Sequence, residues 1–270
     1  MSKALKRLFL AISMCCLAAT ANAAPIDDAR AAFDRGDYAE AFKIHRTLAA
    51  QGDVTSQDIT GFMYYEGLGV TQDYKEAMKW YRLAAPQGNK VTQNNIGAMY
   101  QQGQGVTRDY KEAMKWFRLA AAQGYADAQC NLGLMYAKGE GTAQNHHEAL
   151  KWYRLAAAQG DARAQSGIGI LYKFGLGVIQ DYQEALKWYR LAATQGNTGG
   201  QALLSHMYYA GEGVTQDFVT AHMWGNIASR SGNPDMIKWR DSFASQMTPQ
   251  QIEKAQDMAR ACQARNFKGC

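Results

Sequence analysis

Between residues 125 and 160, apolar positions recur with the rhythm of two short helices. Ala128, Leu132, Met135 and Tyr136 fall on one side of a helix over residues 126–137, because residues three and four apart share a helical face. Gly139-Glu140-Gly141 breaks that pattern, and glycine accepts the positive φ that ends a helix. A second helix opens at Asn145, whose side chain caps free backbone N–H groups. Glu148, three residues on, is placed to close a capping box. This helix is predicted to bury Ala149, Trp152, Leu155 and Ala156 before Gln159-Gly160 stops it.

The same pattern returns along most of the chain. Trp80, Trp116, Trp152, Trp188 and Trp224 stand 36 residues apart. Asp37-Tyr38, Asp73-Tyr74, Asp109-Tyr110 and Asp181-Tyr182 form a second ladder, completed by Asn145-His146 and Asp217-Phe218. Six copies in one register make this a repeat protein. Asp73/Glu76, Asp109/Glu112 and Asp181/Glu184 repeat the predicted capping device. Local departures carry expectations of their own. Pro86 should end or kink its helix early, and Thr220, where other copies have glutamate, should make the fifth copy the loosest joint.

Composition is globular, with 47% hydrophobic and 20% charged residues. Lys3, Lys6 and Arg7, an uncharged apolar run over 8–19 and the small-x-small segment Ala21-Asn22-Ala23 predict a cleaved secretory signal over 1–23. Cys15 and Cys16 would suit a lipoprotein only if a small residue preceded the modified cysteine, and Met14 precedes Cys15. Without the signal, 29 − 3 = 26 Lys+Arg face 24 Asp+Glu, a net of about +2. No long basic run remains, which argues against a nucleic-acid partner. The expected location is periplasmic or secreted, in a Gram-negative envelope, with no stable membrane insertion after cleavage and a monomeric state. An oxidising compartment would allow Cys262 and Cys270 to pair, pinning the tail; two free thiols on a frayed end are the alternative.

Candidate chemistry is sparse. Gly67-Leu68-Gly69 follows a helix, and Gln72 stands where a dinucleotide loop would need its third glycine. His146 and His147 are adjacent and do not share a helical face, so they make a poor metal pair. His45, His206 and His222 lack ligand spacing. Every candidate serine or carboxylate sits at a repeat-equivalent position or in a cap. The expectation is no catalytic residue, no metal and no cofactor.

The G-x-G-[VT] turn, the D-Y-x-E-A-[ML]-K-W-[YF]-R-L-A-A block and the closing Gln-Gly resemble the Sel1-like repeat family, relatives of the tetratricopeptide repeats. The resemblance implies an all-α, right-handed α/α superhelix, a solenoid of helix pairs with helical caps. It spans five full copies: 53–88, 89–124, 125–160, 161–196 and 197–232. Residues 24–52 look like a partial leading copy, keeping Asp37-Tyr38-Ala39-Glu40-Ala41, and 233–270 like a C-terminal cap opened by Asn233-Pro234 and Thr248-Pro249-Gln250-Gln251.

The family's concave face is lined mainly by first helices. Carried over position by position, it comprises Asp58, Phe62, Tyr65, Glu66, Asn94, Gln101, Gln102, Cys130, Leu134, Lys138, Ser166, Ile170, Lys173, Phe174, His206 and Tyr209, with Asp127 and Ala137. Aromatics, amides and single charges there suit a peptide or protein groove. The resemblance therefore implies a non-catalytic interaction scaffold or regulator. One alternative is a β-lactam-binding or hydrolysing relative, although such relatives carry a cysteine pair in each repeat and the five copies here hold only Cys130. The other is a purely structural spacer.

Overall fold

A computed structural model describes residues 23–270. The predicted signal segment, with Cys15 and Cys16, lies almost wholly outside the described residues. Fourteen α-helices and no strand occur among the described residues. They form two compact units divided at Ala120. The first holds α1 (Ala23–Asp34), α2 (Tyr38–Ala50), α3 (Val54–Glu66), α4 (Tyr74–Ala84), a 3-10 turn (Ala85–Gln87), α5 (Lys90–Gln102) and most of α6 (Tyr110–Ala122). The second holds α7 (Ala126–Lys138), α8 (His146–Ala158), α9 (Ala162–Phe174), α10 (Tyr182–Thr194), α11 (Thr198–Ala210), α12 (Phe218–Ser229), α13 (Pro234–Ala244) and α14 (Pro249–Ala264). Within each unit, consecutive helices pack as antiparallel pairs and successive pairs stack.

The caps explain where the helices begin. Asp73 accepts from the backbone N–H groups of Lys75 and Glu76, and Asp181 from those of Gln183 and Glu184. Each such cap stabilises its helix by about 1 kcal/mol. The reciprocal half of the predicted box does not form there. The Asp73 and Asp181 N–H groups already donate to the Tyr64 and Tyr172 carbonyls, so Glu76 and Glu184 pair instead with Lys79 and Lys187. A complete box occurs at Thr248 and Gln251.

The Gly-x-Gly turn uses its two glycines differently. Gly67 ends α3 at φ 72°, whereas Gly69 lets the turn touch the preceding pair: a Cβ there would sit 2.1 Å from the Tyr38 carbonyl oxygen. Gln72, Gln144, Gln180 and Gln216 then donate at 2.8 Å to the Tyr65, Ala137, Lys173 and Tyr209 carbonyls, acceptors that a helix C-terminus leaves open. Pro86 acts as expected. α4 stops at Ala84 after 11 residues and tightens into the 3-10 turn, whereas α8 and α10 run for 13.

The core corrects the expectation for the second helix. In the second helices of the first four full copies, the buried aromatics are Tyr81, Phe117, Tyr153 and Tyr189. Trp80, Trp116, Trp152 and Trp188, one residue earlier, are half-buried, and Leu155 is 50% exposed. The reason lies on the facing helix. Gly133 lacks a side chain where the Tyr153 ring lies, and a Cβ there would come within 2.5 Å of it. The ring occupies the interior and rotates Trp152 and Leu155 outward.

The fifth copy differs. Gly225 stands at the buried-ring position and Met223 at the position of the exposed Lys187. Trp224 is only 1% exposed, and both α13 and α14 pack on α12. Thr220 donates its hydroxyl to Asp217, rebuilding the cap at what was expected to be the loosest joint. At the tail, the Cys262 and Cys270 sulfurs are 2.16 Å apart, with Cys262 buried beside Ala255 and Ala259. Among the described residues, no helix is long and apolar enough to cross a membrane.

Candidate interaction surface

Five of the sixteen expected surface residues are buried: Asp58, Phe62, Cys130, Ser166 and Lys173. Their positions form the seam between successive first helices, which explains the correction. In the first unit, the Thr92 hydroxyl of α5 donates to Asp58 of α3 at 2.5 Å. Burial raises the Asp58 pKa to about 6, against the lowering effect of that hydrogen bond. In the second unit, Ser166 Oγ lies 3.0 Å from the Asn197 side-chain oxygen and donates to the Ala162 carbonyl. Arg163 bridges Asp127 at 2.7 Å and Asp161 at 3.0 Å. Cys130 beside them is a buried thiol pushed up to about 12, chiefly by desolvation.

A second tie joins a first helix to the Gly-x-Gly turn of the following copy at two places. Tyr65 donates to Gln104 at 3.0 Å, and Lys173 pairs with Glu212 at 2.6 Å, both 39 residues on. A third escaped the sequence reading although its ladder is visible there. Gln57, Gln129, Gln165 and Gln201 are all buried. Gln57, Gln129 and Gln201 donate to the Ala49, Ala121 and Ala193 carbonyls, while Gln129 and Gln165 accept from Gln159 and Gln195. Polar residues at 36-residue steps read as surface until the carbonyls at helix ends are counted as needing donors.

The remaining expected residues are open to solvent to different degrees. Tyr65, Asn94, Gln101, Ile170, His206 and Tyr209 are half-buried, and Glu66, Gln102 and Lys138 are exposed. Leu134 is 37% and Phe174 58% exposed. The second unit joins several of these into one patch. The Lys173 ammonium lies 5.5 Å from the Phe174 ring centroid and 3.3 Å from His206 Nδ1. His206 faces Trp239 of α13 edge-on at 6.2 Å, and Tyr209 stacks on Phe243 at 4.4 Å. Trp239 is 43% exposed. It was missed because it lies beyond the repeats and has no counterpart in the ladder. Burial and the nearby Lys173 lower the pKa of His206, which favours its neutral form. The patch thus offers exposed apolar rings around a neutralised ion pair, which suits contact with a protein side chain. Among the described residues, no group of three or more His, Cys, Asp or Glu could hold a metal.

Stacked helix pairs with a variable first-helix face define a helical-repeat protein of the kind that generally serves as an interaction scaffold. More specifically, the chain belongs to the Sel1 repeat family, which matches residues 56–89, 91–125, 126–161, 162–197 and 199–233. Among solved structures, it is similar to a Sel1 repeat protein from Oxalobacter formigenes, at 35% identity and TM-score 0.76, over 88% of this chain and 99% of that one. It is also similar to c5321, a protective antigen of uropathogenic Escherichia coli with the same repeat fold, at 31% identity and TM-score 0.74. That match covers 97% of this chain but 56% of the antigen. An immunity protein from Pseudomonas aeruginosa, at 19% identity and TM-score 0.51 over 82% of this chain and 85% of that one, shares the fold alone. A comparison with curated proteins gives no match.

Proposed function

We propose that this chain is a non-catalytic scaffold of the bacterial envelope that holds a protein or peptide on the first-helix face of its second unit. The observation carrying this reading is the patch of Phe174 and Trp239, exposed around Lys173, His206 and the partly buried Lys173–Glu212 pair, with Leu134 exposed on the first helix before it. Large exposed side chains near the centre of an interface supply most of its binding energy, and the ion pair fixes the patch without adding net charge. The signal segment and the Cys262–Cys270 pair support an oxidising location outside the cytoplasm.

The test is photo-crosslinking in intact cells. A photoreactive residue at position 174 should trap a discrete partner, and the adduct should disappear when Leu134→Glu and Trp239→Ala are added. Adducts formed equally well at positions 66 and 102, or persisting in that variant, would reject this face.

A further inference from the structure

We propose that the exposed face of the second helices α8 and α10 is a separate docking surface for an amphipathic partner helix with acidic flanks. The chain itself shows how such a face is covered. At α12, Trp224 and Ile227 are buried in one core with Ala255, Ala259 and Cys262 of α14. The equivalent residues on α8 and α10 are half-buried Trp152 and Trp188 and half-exposed Leu155 and Leu191. The small residues of α14 allow its close approach to α12. Helices pack at about 8–10 Å only when the side chains between them permit it. The same apolar register thus continues on two further helices of the unit, where Trp188 is partly packed against the neighbouring pair and Leu155 and Leu191 are left half-exposed.

Charge distinguishes the covered copy from the half-exposed ones and indicates the partner's chemistry. Where α14 lies, the flanking positions are Met223 and Asn226; on α8 and α10 they are Arg154 and Arg190, together with Lys151 and Lys187, which pair with Glu148 and Glu184 of their own helices. Arg154 donates to the Tyr172 hydroxyl at 3.1 Å, and Arg190 to the Tyr208 hydroxyl. A neutral phenol orients each guanidinium without cancelling its charge. An apolar centre bordered by oriented cations complements a helix with an apolar, small-residue stripe and carboxylates beside it. α14 has the small-residue stripe, with exposed Glu253 and Asp257 beside it, although Asp257 pairs with Arg260 and Lys254 lies next to Glu253.

The probe is a synthetic, dye-labelled peptide with the sequence of residues 248–264, titrated onto the full-length protein whose own α14 is in place. Saturable binding is expected. It should weaken at least tenfold in the Leu155→Glu, Leu191→Glu variant and at least tenfold when Glu253 and Asp257 of the peptide are changed to Lys. The half-exposed leucines are replaceable, so circular dichroism and the melting temperature of the variant should match those of the parent. Absence of saturable binding, or equal binding by the variant, overturns the proposal. So does concentration-dependent self-association of the parent lost in the variant, which would assign the face to a second copy of this chain.

Discussion

The two units use the same repeat positions for opposite purposes. The first buries two titratable groups: Asp58, with Thr92, in the first-helix seam, and His45 of α2, whose Nδ1 lies 3.2 Å from Ser56 Oγ of α3. In the second, the seam is closed by Ser166 and Arg163, and the charged tie from Lys173 to Glu212 lies beneath exposed rings. The comparison teaches that the repeat frame fixes which positions meet across neighbours, while the residue placed there decides whether the contact is interior or displayed. Tyr65–Gln104 and Lys173–Glu212 are one structural position with two chemistries.

Breaking the charged version should have the largest effect. Lys173→Met leaves Glu212 beside an apolar neighbour and should cost about 3 kcal/mol, seen as a lower urea midpoint. Adding Glu212→Leu should recover part of that loss, because an apolar pair can replace a partly buried ion pair.

The second expected effect concerns pH. Asp58 has a folded pKa raised from 3.8 to about 6, so the folded unit keeps a proton that the unfolded chain has lost. Its contribution is fully present below pH 3.8 and disappears as pH rises through 6, a loss of about 1–3 kcal/mol. His45 works the other way. Burial lowers its pKa from 6.5 to about 4, so stability falls as pH drops from 6.5 towards 4, where only the unfolded chain takes the proton. The two slopes oppose each other over nearly the same window. Asp58→Asn should therefore raise stability at pH 7 and expose the His45 slope, giving a lower urea midpoint at pH 5 than at pH 7. An unchanged pH profile would contradict this assignment.

A smaller loss, about 1 kcal/mol, is expected for Tyr65→Phe, which removes the neutral version of the tie. Smallest is Phe174→Ser, within about 0.5 kcal/mol of the parent; its consequence should appear in partner binding and not in the melt.

Much of the fold was legible because 36-residue ladders of Trp, Asp-Tyr and Gly-x-Gly give helix number, turns and starts directly. Orientation within a helix was less so. Trp152 and Tyr153 are adjacent large aromatics, and only the missing side chain of Gly133 on the facing helix decides which ring goes inside. The same ambiguity put Phe62, Cys130 and Lys173 on the expected surface, since a position that faces a groove in one pair meets the neighbouring pair in the next. Trp239 was illegible for a different reason: it is singular, and a periodic reading has no equivalent position from which to judge it.

The central claim is that the second unit's first-helix face receives the partner. Hydroxyl-radical footprinting of the full-length protein, alone and with the partner recovered by crosslinking, tests it directly. Protection should concentrate on Leu134, Phe174 and Trp239 while Tyr65 and Tyr100 keep their reactivity. Protection of the first-unit tyrosines, with Phe174 and Trp239 still fully reactive, would contradict the account.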